Sequence, residues 1–139
     1  MSWATIRDGV KARLDTIDGL SAHDVMPQTL PDRDIAVVLP GNPVIEPDGH
    51  LAGVFVHFRV FVRCKRGKLK DSQDGLDPYL WPTGTKSIAA AVLGDTGLPK
   101  DGVNTVHDTR FTGVTQYSGE DDSFAVSANV LFTARAVPA

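Results

Sequence analysis

Two stretches of the chain alternate apolar and mixed residues with a strict period of two. In the first, Val54–Lys65, one face carries Val54, Val56, Phe58, Val60, Val62 and Cys64. In the second, Phe124–Ala136, one face carries Phe124, Val126, Ala128, Val130, Phe132, Ala134 and Ala136. Such alternation predicts strands with one buried face. At ~3.3 Å per residue the first spans about 36 Å, close to the roughly 37 Å diameter of a compact domain of this length. A usual strand has only about 5–6 residues. Strands that cross a whole domain need helices to cover one face, and they offer surface to neighbours more readily than they build a catalytic centre.

The rest of the chain supplies that cover. Trp3, Ile6, Val10, Leu14 and Ile17 recur at spacings of three and four, so residues 3–17 read as an amphipathic helix. Ser2 is placed to cap it and Gly19 to stop it. A short extended piece follows around His23–Met26, then a strand at Ile35–Leu39. Residues 40–53, PGNPVIEPDGHLAG, hold three prolines and three glycines and read as a long loop. After the first long strand, Ser72 caps a helix over 73–80 that uses Leu76, Tyr79 and Leu80. A second helix runs over about 86–94, closed by Gly94. Strands at roughly 103–117 and 123–135 flank a turn at SGEDD. The order α-β-β-β-α-α-β-β groups the helices instead of alternating them with strands. Residues 1–139 therefore read as one α+β domain, a mainly antiparallel sheet with long strands and helices packed on one face.

Composition fits a single core. The 139 residues are 42% hydrophobic but only 7% aromatic, so packing rests on Val, Ile, Leu and Ala. No run of about 18 apolar residues exists to span a membrane, and the first residues, charged and amphipathic, do not resemble a secretory leader. The one cysteine, Cys64, excludes an internal disulfide and sits on the apolar face of its strand, which suits a buried, inert thiol in a reducing compartment.

Charge is unevenly spread. Residues 63–70, RCKRGKLK, hold five of the 14 basic residues and no acid, leaving nine bases against 17 acids elsewhere. A positive tip on an acidic body favours head-to-tail contact between copies; the plainer alternative is a solvated turn whose lysines protect an edge strand. The candidate assembly interface is Arg63, Lys65, Arg66, Lys68 and Lys70 on the basic side, with Glu120, Asp121 and Asp122 on the acidic side. With no aromatic residue in the cluster and a pI near 5.7, the chain does not read as a dedicated nucleic-acid binder.

Catalytic signatures are weak throughout. His23, His50, His57 and His107 show no metal-ligand spacing, and the lone cysteine excludes a thiolate-rich zinc site. Residues 82–87, PTGTKS, fail as a phosphate loop, because Thr85 separates Gly84 from Lys86 and Tyr79 stands where the earlier glycine belongs. A helix capped by Thr or Ser accounts for them. No Gly-x-Ser-x-Gly elbow occurs, and the acids at 120–122 lack the alternation of a calcium loop. The expectation is a protein that is not an enzyme and takes no cofactor or metal.

Several segments resemble the tail-completion and tail-terminator proteins of long-tailed bacteriophages. The opening WATIRDGVKARL with Ile17-Asp18-Gly19-Leu20 is similar to the family's first helix, and Val25-Met26-Pro27 to its short strand. Gly75-Leu76-Asp77-Pro78-Tyr79-Leu80, followed by Gly84 and Lys86-Ser87-Ile88-Ala89-Ala90-Ala91, resembles the pattern Leu-Asp-x-Tyr-Leu, Gly-x-x-Ser-Ile, Ala. The long strand Val54–Arg63 and the closing pair of strands match as well, so the resemblance covers nearly the whole chain. The basic run at 63–70 is longer and more charged than the family pattern. The resemblance implies a structural virion protein that forms a ring, typically of six copies. The ring caps the tail tube, ends its polymerisation, and presents a platform to the head-side connector or stopper. Its implied partners are itself, the major tail tube protein and that connector, with DNA only as passing cargo and no membrane. It is implied to sit in the tail or neck of the virion after assembly in the host cytoplasm. Another neck or head-completion component, or a small-molecule-binding α+β domain, are the alternatives; a pocket lined by convergent polar groups marks the last.

Overall fold

The structure, a computed structural model, describes residues 3–29, 33–47, 53–65, 69–94, 106–118 and 126–136. These form α1 (Trp3–Leu14), β1 (Ser21–His23), β2 (Ile35–Pro47), β3 (Val54–Arg63), α2 (Leu69–Leu80), α3 (Ile88–Leu93), β4 (Val106–Ser118) and β5 (Ser127–Ala136), in the order expected from the sequence. The strands make one five-stranded sheet in the order β1-β2-β3-β5-β4. β1 runs parallel to β2, and every other pair is antiparallel. The fold is α+β, with the two helices after β3 carrying the chain to the far edge before β5 returns beside β3.

β3 and β5 pair without interruption from Val54↔Ala136 to Arg63↔Ser127. Period-two alternation places Val56, Phe58, Val60, Val62 and Cys64 of one, and Val126, Ala128, Val130, Phe132 and Ala134 of the other region, in a single buried cluster. The same cluster takes Ile6, Val10 and Leu14 of α1, Leu76 and Tyr79 of α2, and Ile88, Ala89 and Val92 of α3. All three helices thus cover one face. Across it runs an aromatic row: Trp3 lies 6.4 Å from Phe58, Phe58 stacks on Phe132 at 5.2 Å, and Phe132 meets Phe111 at 6.0 Å between centroids. Few aromatics suffice because these four sit together, with Trp3 of α1 reaching Phe58 on β3.

Helix boundaries follow from local chemistry. α1 ends at Leu14, and the chain then turns through Gly19, whose φ of +82° is a left-handed stop that glycine adopts without strain. The Arg13 guanidinium donates to the Val92 carbonyl at 2.9 Å and ties α1 to the last turn of α3. Ser87 caps α3, its Oγ accepting from the Ala90 N–H at 3.0 Å. The Ser2 cap expected for α1 lies outside the described residues.

Three sequence expectations are corrected. The segment 40–47 is not loop but the second half of β2. β1 pairs only with Ile35, Ala36 and Val37, so beyond them β2 is an edge whose outer side needs no N–H donors, and prolines are tolerated there. Its pairing with β3 jumps from Pro40↔Phe58 to Ile45↔Val56, leaving Gly41–Val44 to bulge opposite His57. α2 begins at Leu69 and not at 73, with Ser72 inside it. The Ser72 hydroxyl does not cap the helix but donates to the Lys65 carbonyl at 3.4 Å, fastening the helix to the exit of β3. The first short strand is Ser21–His23, leaving Val25 and Met26 exposed beyond it.

Candidate functional site

The charged interface residues are only partly in view. Arg63 ends β3 and is half-buried, and Lys65 is exposed with its backbone N–H donating to Asp34 Oδ1 at 2.9 Å. Arg66, Lys68, Glu120, Asp121 and Asp122 lie outside the described residues, as do His50 and Phe124; Lys70 is placed in α2 by its backbone. The flanks of the two charged runs nevertheless come together. Arg63 pairs with Ser127, Ser127 with Ser118, and the Cys64 N–H donates to the Val126 carbonyl at 3.0 Å. The described residues that flank the basic run and the acidic turn therefore lie at the same end of the sheet.

Beside that end is a half-buried polar node. Asp34 accepts from the Tyr79 hydroxyl at 2.7 Å as well as from Lys65 N–H, and its carbonyl accepts from Ser21 N–H at 3.0 Å. One residue so links β1, β2, α2 and the end of β3. Cys64 is 2% exposed, and burial, reinforced by the nearby Asp34 charge, pushes its thiol up to about 12. Burial, with the hydrogen bond to Asp34 next, also raises the Tyr79 phenol. Both groups are protonated and unreactive at neutral pH, in keeping with an inert thiol.

The opposite face, helix-free among the described residues, holds features that periodicity did not single out. His57 is half-buried there, its Nδ1 within hydrogen-bonding distance of Thr133 Oγ1 at 2.9 Å and its Nε2 3.8 Å from Glu46 Oε1. A depression of about 320 Å³ is walled by the β2 bulge and by Thr112 of β4, with His57, Leu131 and Thr133 as floor. A second, also about 320 Å³, is lined by Arg59, Thr115, Gln116 and Asn129 and shares Gly41, Asn42 and Leu131 with the first. The two are halves of one trough running between bulged β2 and bulged β4. Asn129 is 3% exposed; its amide donates to Gln116 Oε1, and its Oδ1 has no partner among the described residues. Gln116 has φ +54°, a left-handed conformation uncommon outside glycine. Arg59 and Asn129 were legible only as the polar partners in their alternating strands, and Gln116 carried no sequence signal.

Among the described residues, no three His, Cys, Asp or Glu side chains converge as a metal site, and no helix is long and apolar enough to cross a membrane. Neither a family model nor a curated protein matches the chain.

Proposed function

We propose that this chain is a structural subunit of a phage tail end. In this reading, copies assemble into a ring, six by the resemblance, that caps the tail tube, ends its growth and receives the head-side connector. The observation that carries the reading is the pair of ten-residue inner strands, β3 and β5, in full register while none of the described helices packs on one face of their sheet. Half-buried Phe55, Phe61 and Leu131 punctuate that face, which suits contact with another protein. The element order and the Leu76–Ala91 pattern on α2 and α3 support the same assignment. No catalytic role is proposed.

Mass in solution tests it. Light scattering or native mass spectrometry across concentration, with and without purified tail tubes, is expected to give a six-fold species, either free or on addition of tubes. A monomer at every concentration that ignores tubes overturns the reading.

One observation favours the alternative of a ligand-binding α+β domain: the trough on the helix-free face, where Arg59, Gln116 and Asn129 converge. A monomer that binds a small polar molecule there would replace the ring by that function.

A further inference from the structure

The trough contains three departures from what stability alone asks. The first is Asn129. A buried amide oxygen without a donor loses its hydration with nothing in return, and exchanging the O and N of both amides only moves the vacancy to the Asn129 NH₂. Leucine or valine at this position would avoid the loss. The second is Gln116, a non-glycine residue at positive φ whose carboxamide lies over Asn129 while the residue itself is exposed; strain of this kind concentrates at functional positions. The third is Arg59, half-buried in the wall, to which no carboxylate is paired among the described residues.

We infer that the trough is a docking site for an extended peptide segment bearing a carboxylate. The Arg59 guanidinium offers a planar fork for the carboxylate. The Asn129 Oδ1, uncovered when the Gln116 side chain swings outward, accepts a backbone N–H of the same segment. Each half of the trough is near the lower limit of the roughly 300–1,000 Å³ typical of small-molecule sites. Joined through Gly41, Asn42 and Leu131, they suit an elongated occupant better than a compact one. A nucleic-acid strand is a poorer fit, because it calls for repeated cations, whereas His57 here already faces Glu46. The inference goes beyond the ring assignment and is tested without reference to oligomeric state.

The experiment is an NMR titration of the ¹⁵N-labelled full chain with three probes: a blocked pentapeptide with a central aspartate, its asparagine counterpart, and acetate. The aspartate peptide is expected to shift Gly41, Arg59 and the Asn129 side-chain amide, and to bind about ten-fold more tightly than the asparagine peptide, the gain of a charge-assisted fork. Arg59→Gln is expected to remove that preference. Asn129→Leu is expected to weaken both peptides while leaving the thermal midpoint unchanged or higher. Should that variant fail to fold, Arg59→Gln on the strand surface carries the test alone. No shift at millimolar peptide, equal binding of both peptides, or acetate binding as tightly as the aspartate peptide each overturns the proposal.

Discussion

A Cβ built at Gly41 lies 2.7 Å from the His57 carbonyl oxygen, whereas one built at Gly75 meets only the Cys64 sulfur at 3.7 Å. The first contact is with backbone that cannot yield, so the β2 bulge closes over β3 only because residue 41 has no side chain. The second is ordinary van der Waals contact on an exposed helical position. Gly41→Ala is expected to lower stability by about 1–3 kcal/mol through overpacking, and Gly75→Ala to raise it by roughly 0.5–1 kcal/mol through helix propensity. Urea unfolding midpoints of the two variants check both signs. Cys64 adds a pH dependence. Its folded pKa is raised, from 9.0 to about 12, so the folded state holds the proton more firmly than the unfolded chain does. The contribution is intact below pH 9 and is lost as pH rises toward 12, at about 1.4 kcal/mol per unit for one group. Wild-type stability is expected to fall between pH 8.5 and 10.5. Cys64→Ala, weaker at pH 8.5 because of the cavity it leaves, is expected to show a flatter decline.

Elements here are held by a few crossing hydrogen bonds over a common apolar core. Tyr79 fastens α2 to the start of β2 through Asp34, which at the same time receives the N–H of Lys65. Tyr79→Phe keeps the ring in the core and removes only the hydroxyl, so a loss of about 1 kcal/mol is expected; a calorimetric midpoint unchanged from wild type would remove Asp34 from this role. How much of this was legible depends on what decides each element. β3 and β5 were readable because a two-residue period over ten residues admits no helix, and the α1 stripe because Ile6, Val10 and Leu14 all face the sheet. The start of α2 was misread because Ser72 has the chemistry of a cap, while its hydroxyl is spent on the Lys65 carbonyl. The Pro40–Pro47 half of β2 was unreadable locally, since proline and glycine indicate a loop unless one knows that the strand lies at an edge. Asn129 looked solvent-facing by alternation; its burial comes from β4, whose irregular pairing at Thr115 to Ser118 brings Gln116 over it.

At the scale of the molecule, both sheet edges resist strand addition. β1 covers only three residues of β2, and the edge beyond it carries Pro40, Pro43 and Pro47, which offer no N–H. The other edge, β4, is broken by three register shifts, with Gly113 at φ +141° and Gln116 at φ +54°. Bulges and prolines are the usual guards against edge pairing, so contacts in the proposed ring fall to the helix-free face and to the ends of the sheet. One end is distinctive in sequence, since Arg63, where the basic run begins, and Ser118, which precedes the acidic turn, end β3 and β4 on either side of Ser127 of β5. In the proposed ring, the basic run of one copy would meet the acidic turn of the next, a heterologous contact of the kind that closes rings. Replacing Lys65, Arg66 and Lys68 together by Glu reverses the net charge of the run, leaving Arg63 and Lys70 as its only bases. The ring fraction measured by native mass spectrometry is then expected to drop several-fold at low ionic strength. The deficit is expected to shrink as salt is raised past 0.1 M, where the screening length is ~10 Å. A variant that assembles like the wild type at every salt concentration would leave the basic run only the guarding of a sheet end from solution, and would move the ring contacts wholly onto the helix-free face.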